Sequence, residues 1–359
     1  MKFQLPGFGK KSVLGLDIGS GSVKAVEIDL KGKDKGFEVL GLGVAPMPHE
    51  AIVQGAFLNS SAIVGAIQEA VDTSGIKTRD AVVAVSGHSV IVKKVSLSRM
   101  SEEELESQIQ WEAEQYIPFD VNEVNLEFQI METSEDPAKM DVLLVAAKKD
   151  LIDDYVQVMV EAGLTPVAVD VASFALANAF EINHEAQPDG VTALVNIGAN
   201  VVNINVLQDG LPAFTRDITT GGNQYTQEIQ KALSIGFEEA ERVKRGDAAV
   251  DQNLAVVPQE VENAIRAVTD SVVGEISRSL DFFAATADSS RIQKVMLCGG
   301  GAQVAGLARA FQERSGFEVE MMNPLSRALP TRAYDSQFLE EAAPALAVGV
   351  GLAARRSGF

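Results

Sequence analysis

Two short stretches of this chain carry the same pattern. Leu16-Asp17-Ile18-Gly19-Ser20-Gly21-Ser22-Val23-Lys24 and Val195-Asn196-Ile197-Gly198-Ala199-Asn200-Val201-Val202-Asn203 each run an apolar strand into a polar side chain and a glycine-bearing turn. Each continues as an alternating segment, Ala25-Val26-Glu27-Ile28 in one and Ile204-Asn205-Val206 in the other, so each reads as a β-hairpin. Glycine lets a backbone approach a ligand closely, and successive N–H groups in such a turn can cup an anion. One such hairpin is an ordinary glycine turn. Two of them predict two related α/β domains with a phosphate-bearing ligand gripped between.

The rest of the chain supplies elements for that arrangement. Segment 37–46 reads as a strand, 60–74 as a helix stopped by Gly75, and 81–86 as a buried parallel strand. After Gly87 the character changes. A strand over 89–96 precedes a capping box at Ser101–Glu104, a helix through Tyr116 ended by Pro118, strands over 124–132 and 141–147, and a helix over 150–162. This stretch, 88–166, reads as a small α/β unit inserted into the first domain, which spans 10–87 and 167–188. The second domain, 189–356, holds the second hairpin, a strand at 211–217, Gly221-Gly222 opening a helix over 223–234, an acidic helix over 237–245, a long helix over about 258–287 and a strand at 294–297 running into Gly299-Gly300-Gly301. Segment 342–356 is expected to be an Ala/Gly-rich helix packed closely on a neighbour.

Composition excludes several classes. With 30 basic and 50 acidic residues the formal charge is −20, which disfavours nucleic acid or an anionic lipid surface as the main partner. The single cysteine, Cys298, excludes an internal disulfide and suits a reducing compartment. His49, His88 and His184 lack metal-ligand spacing. Met1–Lys11 shows no signal-peptide pattern, and no apolar run approaches the roughly 20 residues a bilayer requires. A cytoplasmic chain is expected.

The candidate site follows from the paired loops. Asp17 can orient water around a divalent cation, the N–H groups of Gly19, Ser20, Gly21 and Ser22 can hold terminal phosphates, and Lys24 adds a point charge. Asn196, Gly198, Ala199 and Asn200 form the second loop, and Gly221-Gly222 would approach the phosphates at a helix start. Glu241 and Lys244, at i and i+3, share a helix face that could meet ribose hydroxyls. Gly299, Gly300 and Gly301 would let the backbone lie flat under a purine. Asp170 could orient a metal-bound water. No residue is assigned as a catalytic base.

These four elements resemble, in the same order, those of the superfamily of actin, sugar kinases and heat-shock chaperones. The resemblance implies an actin-like ATPase fold binding ATP or ADP with Mg2+. The position of the insert looks like that of the cell-division protein FtsA and its relatives of the PilM family. Glu112-Ala113-Glu114-Gln115-Tyr116-Ile117-Pro118-Phe119, followed by Asn122-Glu123-Val124, is similar to a hallmark of the PilM family, as are Gly15–Ser20 and Val167–Ala175. The resemblance covers about residues 10–356. It implies a cytoplasmic scaffold of type IV pilus assembly, peripheral to the inner membrane, that captures the N-terminal cytoplasmic peptide of PilN in a groove bounded by the first domain and the insert. PilO and the pilus motor ATPases would be indirect partners, and self-association is left open.

One departure bears on chemistry. Asn196 stands where the superfamily usually carries Asp, and a neutral amide cannot act as a base near neutral pH. ATP is therefore expected to bind and to be hydrolysed slowly or not at all. Two alternatives differ in class: an FtsA-like divisome filament, disfavoured because Ala353–Phe359 directly follows a packed helix, and a small-molecule kinase, for which no substrate base is legible.

Overall fold

The computed structural model describes residues 12–32, 35–131, 136–184, 190–246, 259–286, 291–331 and 333–355. The chain opens with an antiparallel meander of β1 (Leu14–Ile18), β2 (Ser22–Leu30) and β3 (Phe37–Pro46). A short ladder of β4 (Ile52–Val53) and β5 (Ala56–Phe57) follows, then α1 (Ser60–Ser74) and β6 (Asp80–Val85). The next group is β7 (Val90–Ser98), α2 (Glu102–Ala113), β8 (Val124–Met131), β9 (Lys139–Lys148) and α3 (Lys149–Glu161). The chain rejoins the first sheet at β10 (Thr165–Val171) and leaves it along α4 (Ala172–Asn183).

A second meander follows, made of β11 (Val191–Ile197), β12 (Val202–Gln208) and β13 (Leu211–Ile218). Helices α5 (Gly222–Leu233), α6 (Phe237–Arg245) and α7 (Gln259–Thr286) lead to β14 (Lys294–Cys298), α8 (Leu307–Ser315) and β15 (Glu318–Met321). The described chain closes with α9 (Ser336–Ala342) and α10 (Ala347–Ala353).

The duplication is topological as well as local. One sheet has the order β3-β2-β1-β6-β10 and the other β13-β12-β11-β14-β15. In both, a three-stranded antiparallel meander is extended by two parallel strands beside its first strand. The two sequence hairpins are the β1–β2 and β11–β12 turns, placed alike in the two halves.

Local signals account for the helices. In α1, Ile63, Ala66, Ile67, Ala70 and Val71 form one buried stripe, Asn59 caps the start, and Gly75 ends it in the left-handed conformation. The capping box of α2 forms as expected: Ser101 accepts from the N–H of Glu104 and the Glu104 carboxylate accepts from the N–H of Ser101. This helix stops at Ala113, earlier than expected. Tight bonds from Tyr116 and Ile117 back to Ala113 finish it, because the residue before Pro118 is driven out of helical conformation. Segment 342–356 is not one helix. Pro344 lacks an N–H to continue the ladder, and a 3-10 turn over Ala343–Leu346 separates α9 from α10.

The sheet β7-β9-β8 packs α2 on one face, through Leu105, Ile109 and Ala113 against Val95, Val142 and Leu144. Its other face sends Leu143 and Met131 against Phe174 of α4, with Leu211 of β13 beside them. That layer therefore rests on the junction of the two halves. Trp111, the only tryptophan of the chain, points outward from α2 and is 65% exposed. Helix α3 packs back on the first sheet, where Tyr155, Val158 and Met159 join Leu14, Leu16 and Ile67.

The two halves share a core around α4 and α10, in which Val26, Leu176, Leu194, Met296, Leu346 and Val350 meet. The small residues of α10 permit this. A Cβ at Gly351 would fall 1.7 Å from the carbonyl oxygen of Ala175 on α4, and one at Gly15 would fall 2.3 Å from that of Gly349. Among the described residues no helix is long and apolar enough to cross a membrane.

Candidate functional site

In the first hairpin Asp17 and Lys24 are cross-strand partners, and their side chains pair at 3.1 Å. The N–H of Gly19 closes the turn onto the carbonyl of Ser22 at 3.1 Å. The N–H groups of Ser20 and Gly21 donate to no partner among the described residues, and the turn is open to solvent. Such a turn offers two adjacent backbone donors and one ammonium.

The second hairpin repeats this register with different chemistry. Asn196 and Asn203 are the cross-strand pair, and the Asn196 amide donates to Asn203 Oδ1 at 2.9 Å. Gly198 N–H closes the turn onto Val201 at 2.9 Å, and the N–H groups of Ala199 and Asn200 have no partner among the described residues. An ion pair in one half thus corresponds to an amide pair in the other. The two turns touch, since a Cβ at Gly21 would meet the Cβ of Ala199 at 3.0 Å.

Three further sequence-predicted groups gather behind the second turn. Gly222 and Asn223 donate their N–H groups to the carbonyls of Gly198 and Ala199 at 2.9 and 2.8 Å. The first donors of α5 are therefore committed to the turn and not left for a ligand. What Gly221 supplies is closeness, because a Cβ there would lie 2.5 Å from the Gly198 oxygen. Asn200 accepts from the Asn223 amide at 2.7 Å, which pins the tip of the turn to the same helix. Gly299, at φ 89, and Gly301 pack on the strand side of the turn; Cβ atoms there would meet Ile197 O at 2.3 and 2.9 Å. Gly300 faces open space.

On α6, Lys244 Nζ is shared between Glu241 Oε2 (2.6 Å), Thr226 Oγ1 (3.0 Å) and the Gly222 carbonyl (3.1 Å). Thr226 also donates to Glu241 Oε2 at 2.6 Å, and Arg245 donates to Glu241 Oε1 at 3.0 Å. Burial raises the Glu241 carboxyl, but the Lys244 charge and these hydrogen bonds outweigh it and hold the group below its ordinary value. The pair clasps α6 to the start of α5. Thr226, invisible as a candidate in the sequence, completes the clasp.

Asp170 lies on β10 of the first sheet. Leu16 is level with Val83 and Asp170 with Ala84, so Asp17 and Asp170 stand in one row, two strands or about 10 Å apart. The Asp170 carboxylate is paired with Arg355 Nη1 at 2.8 Å and accepts the N–H of Val171 at 2.7 Å. It is committed to the segment after α10. Among the described residues no three His, Cys, Asp or Glu side chains cluster as a metal cage.

Two features escaped the sequence. Asn203 donates to Asp217 Oδ1 at 2.8 Å, and Asp217 Oδ2 accepts the N–H of Gly87 at 2.5 Å, so a polar row runs from the second turn to the start of the inserted layer. Beside it, a groove of about 240 Å³ opens between β7 and β13, with Val90, Val92, Val171, Ser173, Val201 and Thr215 on its walls. Neither could be read locally, because each joins residues more than a hundred positions apart.

A duplicated three-plus-two sheet in each half, joined through two central helices beneath a pair of facing turns, defines an actin-like protein. Comparison supports the class: MreB 5 of Spiroplasma citri, solved bound to AMPPNP, shares the fold with a TM-score of 0.52 at 12% identity over 96% of this chain and 95% of that one. The chain matches the family described as type IV pilus assembly protein PilM over residues 15–357, and it belongs to that family. A solved PilM-PilN type IV pilus biogenesis complex superposes with a TM-score of 0.85 at 28% identity, covering 98% of this chain and 100% of that one. The cell division protein FtsA of Bacillus subtilis is 25% identical over 307 residues, 74% of this chain and 68% of FtsA.

Proposed function

We propose that the protein is a nucleotide-dependent scaffold of type IV pilus assembly that binds the cytoplasmic N-terminal segment of a PilN-type membrane protein. The observation that carries this reading is the whole-length likeness to the PilM-PilN complex. The domain division given above, 10–87 with 167–188, 88–166 and 189–356, is part of the proposal. The groove between β7 and β13, at the seam of the inserted layer and the two halves, is our candidate for the partner segment. An extended segment there would find strand edges for main-chain hydrogen bonds, and walls that mix valines with His88, Arg216 and Asp217 for its side chains. Attachment through such a partner would make the protein peripheral to the inner membrane, and would link it indirectly to PilO and the motor ATPases.

ATP or ADP is assigned to the two turns. The free N–H groups of Ser20, Gly21, Ala199 and Asn200 fit phosphate oxygens, and the turns already stand close enough to act together. Mg2+ would be held largely by phosphates and water, with Asp17 orienting the water. A similar role for Asp170 requires Arg355 to release it. Glu241 Oε1 keeps a lone pair beyond its bond to Arg245 and could accept from a ribose hydroxyl, whereas Lys244, whose three N–H groups are spent on Glu241, Thr226 and Gly222, would have to release one of these partners to join it. Asn196 donates into its amide pair and has no basic character, so hydrolysis is slow or absent.

The test is titration of a labelled PilN N-terminal peptide into the purified protein, with and without Mg-ATP. Saturable binding is expected. Absence of binding in both conditions would return the FtsA-like and kinase readings to contention.

A further inference from the structure

The polar row has two ends, and each end lies at one of the two proposed sites. Asn196, Asn203 and Asp217 are cross-strand neighbours on β11, β12 and β13, and each is hydrogen-bonded to the next. They sit on the face turned toward the first half, which elsewhere carries Leu194, Leu207 and Met296. Polar groups on such a face are costly unless bonded, so their bonds fix their orientations relative to one another. At one end, Asn196 borders the second turn, with its Oδ1 2.5 Å from where a Cβ of Gly299 would stand. At the other, Asp217 crosses from the second half to accept the N–H of Gly87, in the turn through which the chain passes from β6 to β7. Gly87 takes φ 91, a left-handed conformation that favours glycine, and its carbonyl accepts the N–H of Val90 at 3.0 Å where β7 begins.

We infer that Asp217 is a positioning residue that couples occupancy of the second turn to the seating of the inserted layer, and thereby to peptide affinity. A phosphate drawing on the Ala199 and Asn200 N–H groups shifts the turn and the Asn196 amide at its base. Asn203 and Asp217 pass that shift across two strands to Gly87, from which β7 and one wall of the groove begin. The inference rests on the nucleotide and peptide reading above.

The experiment is a linkage cycle on the full chain: peptide affinity with and without Mg-ATP, and Mg-ATP affinity with and without peptide. The two ratios must agree, because coupling between binding sites is reciprocal. In the unaltered protein the ratio is expected to be about fivefold or more in either direction. In Asp217→Ala it should fall to one, whatever the variant does to either affinity alone. Asn203→Leu, which breaks the row without touching Gly87, should do the same, and circular dichroism together with retained Mg-ATP binding shows that each variant is folded. Hydrogen exchange at residues 86–92 supplies a second readout, responding to Mg-ATP in the unaltered protein and not in the variants. A ratio preserved in both folded variants would overturn the inference. So would a ratio of one in unaltered protein that binds both ligands, with the proposed function left standing. Failure of either ligand to bind the unaltered protein would instead overturn that function, and the coupling with it.

Discussion

Lys24 and Asn203 occupy equivalent places in the two hairpins, and the difference between them decides how a phosphate could be held. Lys24 brings a charge to the first turn, already oriented by Asp17, whereas Asn203 spends its amide on Asp217. Charge-assisted bonds are worth about 1.5–3 kcal/mol each, so Lys24→Ala should weaken Mg-ATP binding about tenfold or more in a fluorescent-nucleotide titration. Unchanged affinity would remove Lys24 from the site. Arg355 offers a separate test. Burial raises the Asp170 carboxyl and Arg355 pulls it back, so in Arg355→Met the group should climb further. A carboxyl whose folded pKa is raised contributes most to stability below its unfolded value, and that contribution is lost as pH rises through the folded value. Arg355→Met should therefore cost about 3 kcal/mol at neutral pH and clearly less near pH 5, read as urea midpoints. An equal cost at both would mean that Asp170 does not titrate in that window. Asn196 was legible as the residue replacing an expected Asp. Its partner Asn203 was not singled out, although it holds the place in the second hairpin that Lys24 holds in the first.

At the level of elements, periodicity and punctuation identified most strands and helices. The meander strands, α1 with its Asn59 cap and Gly75 stop, and α6 follow from residues adjacent in sequence. The end of α2 and the break before α10 depend on prolines whose influence reaches backward along the chain. Strand β15 escaped because a four-residue edge strand carries too little pattern to stand out, and the short helices α8 and α9 were not singled out either. The glycines of the helices separate into two kinds. Gly351 lies against the backbone of α4, and Gly351→Val should lower stability by about 3 kcal/mol or more, since overpacking here meets a carbonyl that cannot rotate away. Gly65 in α1 has no neighbour within 4 Å of its would-be Cβ, and Gly65→Ala should raise stability by about 0.5–1 kcal/mol. Thermal melts of the two variants must move in opposite directions for this account of α10 to stand.

For the whole molecule, the two copies of one pattern were enough to foresee two related halves. The bonds that hold the halves in register were not foreseeable, because Asn205 to Ser173, Asp217 to Gly87 and Asp170 to Arg355 join distant positions. One such contact bridges the halves beside the turns. The ring of His49, just after β3, meets Phe237 at the start of α6 with centroids 3.8 Å apart. A ring pair of this kind is worth about 0.5–1.5 kcal/mol, so Phe237→Ala should speed release of bound nucleotide about fivefold in stopped flow, with slower or unchanged release counting against a bridging role.

The outward position of Trp111 gives the chain a built-in optical probe. With no second indole to blur the signal, emission excited near the red edge of protein absorbance reports on α2 alone. Any event that tilts the inserted layer, or brings another surface over that helix, becomes visible as a spectral shift or a change in quencher access without a dye being attached.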